Sequence, residues 1–324
     1  MKLIIQIPCF NEEKTLTITL KQLPRQVEGF DMVEWLIIDD GCTDDTVKVA
    51  RECGVDHVVS FINNKGLAAG FSAGLKRALQ EGADVIVNTD ADNQYCAADI
   101  PTLVKPILDG KADYVIGARP ITAIKHFSPL KKMLQKIGSW VVRITSKTDI
   151  PDAPSGFRAM SRECAMKLNV FNEYTYTLET IIQAGQKGMV VTSVPIQVNE
   201  DLRPSRLIKS IPGYIKKSII TIIRIFMVYR PFHFFMSMGL TIFATGFLVG
   251  LRFFYYYLIG EGEGHVQSVI LAGVLLGMGF QTALIAFIAD LLSVNRKLLE
   301  DLQYNSRSLN ANNKKEDRCL PAKE

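Results

Sequence analysis

Two long apolar runs in the C-terminal third limit what this chain can fold into. Phe232 to Leu251 is 20 residues without Asp, Glu, Lys or Arg, and Val266 to Ala289 is 24 more. A helix rising about 1.5 Å per residue needs about 20 residues to cross the hydrocarbon core of a bilayer. Hydrophobic residues make up 48% of the 324, which excludes a disordered or fibrous chain and is slightly high for a wholly soluble enzyme. The expectation is a membrane protein with a large soluble part (1–202), a basic juxtamembrane stretch (203–230), two spans within 231–293 and a polar tail (294–324). The spans fall at about 232–258 and 266–292. The competing reading makes both runs core helices of a soluble bundle.

The net charge of +4 conceals an uneven distribution. Tyr114 to Thr148 carries seven basic residues and no acid, Arg203 to Arg230 carries seven more and no acid, and the remainder is net negative. Two basic strips on an acidic body suit an anionic surface such as lipid headgroups or phosphates, although two solvated helix faces would read the same way. No nucleic-acid partner is expected. Lys and Arg precede the first run and follow the second at Arg296 and Lys297, whereas the connector holds Glu261, Glu263 and His265. Positive-inside logic then puts both ends in the cytoplasm, in a plasma-membrane protein. Arg252 with Phe253 to Tyr257 reads as an aromatic belt at the outer interface. Gly246-x-x-x-Gly250 and Gly273-x-x-x-Gly277 would let the helices pack closely, and permit a homo-oligomer through the spans. Between Ser205 and Tyr229, basic and apolar residues alternate as in helices lying in the membrane interface. Each such base near an anionic leaflet is worth about 1 kcal/mol. The polar, Asn- and Lys-rich tail from Glu300 reads as poorly ordered.

The six cysteines show neither C-x-x-C spacing nor histidines placed for zinc, so no disulfide framework is expected. The run Leu3 to Ile7 is too short for a secretory signal and gives way at once to Asn11-Glu12-Glu13. A reducing, cytoplasmic setting follows for the soluble part.

In that part, short apolar runs (Leu3–Ile7, Trp35–Ile38, His57–Phe61, Val85–Thr89, Tyr114–Gly117) alternate with helical patterns (Glu13–Leu23, Thr46–Cys53, Leu67–Glu81, Ile100–Leu108). Such alternation predicts an α/β fold, a mainly parallel sheet with helices on both faces, where ligands bind beyond the carboxyl ends of the strands. Four polar motifs fall beside the predicted strand ends. They are Pro8-Cys9-Phe10-Asn11-Glu12, Asp39-Asp40-Gly41-Cys42-Thr43-Asp44, Asn63-Asn64-Lys65-Gly66 and Asp90-Ala91-Asp92-Asn93-Gln94. Carboxylates repeated at one edge repel unless they share a cation. Oxygen ligands at i, i+2 and i+4 suit Mg²⁺ or Mn²⁺, which would bridge an anionic substrate such as a diphosphate. Taken singly, a D-x-D occurs about once by chance in a chain this long, and the others could be caps or turns. The ordered set carries the argument. Neither a P-loop nor a G-x-G-x-x-G is present.

Pro8-x-Phe10-Asn11-Glu12, Asp39-Asp40-Gly41-x-Thr43-Asp44-x-Thr46, Asn64-Lys65-Gly66 and Asp90-x-Asp92-x-Gln94 together resemble a GT-A glycosyltransferase of family 2. Asp152 to Ala159 (DAPSGFRA) resembles the polyprenyl-phosphate sugar transferases, which include dolichyl-phosphate mannose synthases and undecaprenyl-phosphate glycosyltransferases. The motifs extend from Pro8 to Arg206, and two C-terminal spans match the membrane-anchored subgroup. The resemblance implies a nucleoside pocket lined by Pro8, Phe10, Glu12, Ile38 and Asp40, with Asn11, Lys65, Ala91, Asp92, Lys132, Arg203 and Arg206 completing the donor site. It implies a divalent metal on Asp90, Asp92 and Gln94, and basic residues around phosphates at Arg119 and Lys131-Lys132. Asp92, Arg119, Asp152 and Arg158 are the candidate catalytic residues. Asp152 and Glu179 could equally be structural partners of a nearby Arg or Lys. The chain departs from the pattern at Phe10 and Cys42, where Tyr and Ser are usual, and at Lys131-Lys132, where an arginine becomes lysine and loses bidentate geometry. The usual R-x-x-G-x-S-K survives only as Ser205-Arg206 with Arg203 nearby.

The implied reaction moves a hexose from a UDP- or GDP-sugar to a polyprenyl monophosphate by inverting displacement. A processive polysaccharide synthase shares the early motifs, but its Q-x-x-R-W element is absent around Trp35 and Trp140. A non-catalytic scaffold or flippase partner is the reading of another class, against which the intact Asp90, Asp92 and Gln94 stand.

Overall fold

The computed structural model of the chain describes residues 1–120, 139–140, 142–143, 146, 148–170, 176–199, 220, 223–224, 227–260 and 262–319. It divides into two compact units, Met1–Ser218 with Asp301–Glu324, and Ile219–Glu300.

The first unit is built on strands β1 (Lys2–Cys9), β2 (Met32–Asp39), β3 (His57–Ser60), β4 (Val85–Asn88), β5 (Tyr114–Ala118), β6 (Arg158–Ser161) and β7 (Val191–Pro195). Its described helices are α1 (Glu13–Gln22), α2 (Thr46–Glu52), α3 (Leu67–Gln80), α4 (Ile100–Leu108), α5 (Arg162–Lys167) and α6 (Thr177–Gln186). The strands form one sheet in the order β3-β2-β1-β4-β6-β5-β7. Leu3, Ile4, Ile5 and Ile7 of β1 are all completely buried, as a parallel strand covered on both faces requires. Leu3, Ile5 and Ile7 join Leu16 and Leu20 of α1 and Leu103 and Val104 of α4 in the main core. Each such side chain contributes about 1.5–3 kcal/mol by leaving water.

The opposite face is covered by α3, and glycine sets how closely. A Cβ at Gly74 would lie 2.5 Å from Gln6 Oε1 and 2.8 Å from Ile38 Cδ1, so only a bare backbone fits there.

The predicted elements through Tyr114 are all present, and β6 and β7 are additions to them. β6 runs antiparallel to both β4 and β5, while β5 pairs parallel with β7. β6 therefore begins at the edge where its parallel neighbours end: Arg158 stands opposite Asn88 and Ile116. That reversal brings the segment entering β6, from Asp152 to Phe157, to the sheet's carboxyl edge.

The second unit holds α7 (Pro231–Ile259) and, as far as Glu300, α8 (Val266–Cys319), and both helices are long and apolar enough to cross a membrane. Leu248, Ile270 and Leu291 are 65%, 64% and 68% exposed, which is not how the core helices of a soluble bundle look. Gly260, at φ 88°, closes α7 in the left-handed conformation.

One expectation holds in half and another is corrected: Gly246 and Gly250 do face α8, where their Cβ atoms would lie 2.8 Å from Leu275 and 3.7 Å from Ala272, but the second glycine pair takes no part. The close approach of the helices uses Gly239 and Gly246 of α7 against Gly279, Ala283 and Leu276 of α8. A Cβ on Gly273 or Gly277 would meet nothing within 4 Å among the described residues. Small residues at i and i+4 occur on more than one face of α8, and spacing alone does not choose between faces. In addition, α8 continues helical to Cys319 instead of ending in an irregular tail. No Gly or Pro interrupts the chain between Gly279 and Pro321, so nothing local stops the helix.

Candidate active site

Because β1, β2 and β4 are parallel, the segments following Cys9, Asp39 and Asn88 emerge side by side. Polar side chains then tie them together. Asn11, at φ 55°, accepts from the Thr43 backbone N–H at 2.8 Å through Oδ1. The Glu12 N–H donates to Thr46 Oγ1 at 2.9 Å, and Glu12 Oε2 accepts from the Thr15 hydroxyl at 2.8 Å. Asp39 accepts from the Cys42 N–H at 2.7 Å. Asp40 accepts from the N–H groups of Lys65 and Gly66 at 2.7 and 2.9 Å, holding the third motif against the second. Pro8 is half-buried, Phe10 is 40% exposed and Ile38 is completely buried beneath α3. Desolvation leads the effects that push the Cys42 thiol up to about 11, which keeps it protonated. Burial works against ionisation of Asp44, but hydrogen bonds from Thr46 and Glu13 prevail and hold its carboxyl below the usual range.

The fourth motif forms a turn beyond β4. Asp92 Oδ1 accepts from the Gln94 N–H at 3.3 Å, and Asn93 takes φ 58°. Asn11 and Asn93 are the two non-glycine residues with positive φ among the described residues, one in each of two edge loops. Asn tolerates this conformation better than most side chains, and local strain of this kind clusters at functional sites. The backbone of the turn is held from both sides, by the Thr19 hydroxyl on Ala91 O at 2.9 Å and by Asn199.

The segment entering β6 closes the site. Gly156 donates its N–H to Tyr95 Oη at 2.8 Å and accepts from Asn88 Nδ2 at 2.9 Å. A Cβ on Gly156 would lie 3.0 and 3.1 Å from the two Asp90 carboxylate oxygens, so glycine leaves the space that the acid occupies. Tyr95 stacks on Phe157 with centroids 5.2 Å apart. Burial, opposed by Arg119 and reinforced by Asp90, pushes the Tyr95 hydroxyl up to about 12, so it stays a neutral phenol.

Arg119 and Asp152 form a bidentate pair, Nε to Oδ2 at 2.7 Å and Nη2 to Oδ1 at 3.0 Å, with side chains 8% and 1% exposed. Burial alone would favour the neutral guanidine; Tyr95, Asp152 and Asp90 more than offset it and raise the Arg119 pKa. Arg158 is completely buried. Its guanidinium donates to the carbonyls of Ala153, Ser155 and Thr177, to Tyr114 Oη and to Thr180 Oγ1, all between 2.6 and 2.9 Å. It thereby fixes the course of the segment that carries Asp152 and Gly156. Glu179, 7% exposed, lies on α6.

The structure thus brings Asp90, Arg119, Asp152, Gly156 and Tyr95 into one neighbourhood, and Asp92 and Gln94 lie on the turn that follows Asp90. Lys131, Lys132, Arg203 and Arg206 lie outside the described residues, as does most of 203–230. Sequence reasoning passed over Tyr95, Asn88 and Asn199. Tyr95 was within reach, being adjacent to the acidic motif, but no local pattern marks Asn199. Among the described residues no three His, Cys, Asp or Glu side chains cluster as metal ligands. The donor set on the turn is two carboxylates with an amide, all able to offer oxygen, which fits a hard divalent cation.

Comparison with known proteins identifies the family and the fold. Residues 4–168 match the family model described as Glycosyl transferase family 2. The chain is 30% identical over 216 residues to the UDP-N-acetylglucosamine–dolichyl-phosphate N-acetylglucosaminyltransferase of Methanococcus voltae, covering 59% of this chain and 83% of that protein. It is 28% identical over 225 residues to the undecaprenyl-phosphate mannosyltransferase of Micrococcus luteus, covering 66% and 90%. Among solved structures, glucosyl-3-phosphoglycerate synthase of Mycobacterium tuberculosis, in complex with Mn²⁺, UDP and glucosyl-3-phosphoglycerate, shares the fold. Its TM-score is 0.52 at 20% identity, over 70% of this chain and 78% of that one.

Proposed function

Since the chain belongs to glycosyl transferase family 2, we propose that it transfers a hexose from a UDP- or GDP-sugar to a polyprenyl monophosphate at the cytoplasmic face of the plasma membrane. The observation that carries this reading is the placement of Asp90 of the acidic turn beside the Arg119–Asp152 pair at one sheet edge. The lipid acceptor is supported by the substrates named for the Methanococcus and Micrococcus relatives and by the two apolar helices. Asp90, Asp92 and Gln94 would hold a divalent cation, Mg²⁺ or Mn²⁺, whose contribution when bound is to stabilise negative charge on the departing diphosphate.

In the proposed reaction an acceptor phosphate oxygen bonds to the anomeric carbon as the bond from that carbon to the diphosphate oxygen breaks. The sugar inverts and nucleoside diphosphate leaves. A phosphate monoester has its second pKa near 6, so about nine-tenths is dianionic at pH 7 and no side chain need take a proton. Asp152 agrees with that economy: both its oxygens accept from Arg119 and it is shut away from solvent. Arg119 is kept cationic, and its pairing with Asp152 fixes the orientation of its guanidinium at this edge. The segment Pro8 to Glu12, with Asp40 and Lys65, forms the nucleoside side of the site.

Membranes containing the protein, incubated with a panel of radiolabelled UDP- and GDP-sugars, are expected to yield one labelled polyprenyl-phosphate sugar. Asp92→Ala should reduce that product at least a hundredfold while the protein remains in the membrane. No labelled lipid with any donor, or undiminished product from Asp92→Ala, would overturn the proposal.

A further inference from the structure

After β7 the chain turns back along the acidic turn, and Val198 forms an antiparallel bridge with Tyr95. At the next residue the Asn199 backbone N–H donates to Gln94 O at 2.9 Å. Its side-chain Nδ2 donates to Asn93 O at 2.9 Å and to Tyr95 O at 3.3 Å. Both side-chain partners are carbonyls, so only the nitrogen end of the amide can face them. With Thr19 on Ala91 O, the carbonyls of residues 91, 93, 94 and 95 are all engaged. Asn199 supplies three of those four. The turn it grips includes Asn93 at φ 58°, a conformation that needs such support to be the only one populated.

We propose that Asn199 is a positioning residue for cation binding: its amide locks the 91–95 backbone so that Asp92 and Gln94 are held ready for the ion. The inference rests on the reading of Asp90, Asp92 and Gln94 as the cation set. It assigns a role to a residue more than a hundred positions away in the chain, with no motif of its own. Supporting residues of this kind typically change metal affinity or activity by about 10–100-fold when removed.

The test uses the full chain in detergent micelles and Mn²⁺ as probe, with free Mn²⁺ followed by electron paramagnetic resonance. Four proteins are compared: wild type, Asp92→Asn, Asn199→Ala and Asn199→Ser, the two Asn199 variants keeping the backbone bond to Gln94. Saturable binding in wild type, its loss in Asp92→Asn and a dissociation constant raised about tenfold or more in Asn199→Ala are expected. The melting temperature of apo Asn199→Ala should stay close to wild type, and Asn199→Ser, whose hydroxyl is too short to span both carbonyls, should behave like it. Amide hydrogen exchange at residues 92–96 should be faster in both Asn199 variants without Mn²⁺. Wild-type affinity in Asn199→Ala, with binding abolished in Asp92→Asn, would overturn the positioning role alone. Equal weakening accompanied by a large drop in melting temperature would overturn it too, as general destabilisation. Failure of wild type to bind Mn²⁺ saturably would instead remove the cation site, and this inference with it.

Discussion

Asp152 and Arg158 show how little a charged residue's letter says about its surroundings. Both stand in a motif that the sequence marks for chemistry, and both are completely buried. Arg158 meets its donors' needs with carbonyl and hydroxyl oxygens, and Asp152 is matched by Arg119. Breaking a desolvated ion pair from one side costs about 3–5 kcal/mol, because the remaining charge stays buried. Asp152→Asn keeps the shape and one acceptor oxygen, so a loss near the lower end, about 3 kcal/mol, is expected in chemical denaturation of the full chain. A change below about 0.5 kcal/mol would mean the pair is effectively solvated. The acidic turn was legible because D-x-D follows a strand-like run at a place where parallel sheets bind ligands. Burial of Arg158 was not, since arginine is rarely enclosed completely and its partners Tyr114, Thr177 and Thr180 lie far along the chain.

The alternation from β1 to β5 could be read directly, because each element there is either a compact apolar run or a helix with one apolar face. β6 and β7 could not. Arg-Ala-Met-Ser and Val-Thr-Ser-Val-Pro are short, and only their neighbours in the sheet make them strands. Helix α3 carries a test of packing against propensity. Ala in place of Gly74 favours an isolated helix by about 1 kcal/mol. Its Cβ, however, would stand 2.5 Å from Gln6 Oε1 and 2.8 Å from Ile38 Cδ1. Overpacking a core in this way typically costs about 1–3 kcal/mol. Packing should prevail, so Gly74→Ala is expected to lower the melting temperature. A rise would show that α3 can shift on the sheet without loss.

For the whole chain, charge and apolarity are arranged along the sequence in a way that no single element reveals. The stretch Arg203 to Arg230 has seven bases and no acid before the first apolar helix, and Arg296 and Lys297 follow the apolar part of the second. Between the helices stand Glu261, Glu263 and His265, without Lys or Arg. Each Lys or Arg beside an anionic leaflet favours that side by about 1 kcal/mol, while acids contribute little to orientation, so the asymmetry of bases should decide it. The connector 260–265 is therefore expected outside and the sheet domain inside. A cysteine introduced at Gly264 should react with a membrane-impermeant maleimide in intact cells, whereas Cys53 and Cys96 of the sheet domain should react only after permeabilisation. The reverse pattern would place the sheet edge on the outer side, away from cytoplasmic nucleotide sugars, and the proposed reaction would lose its donor.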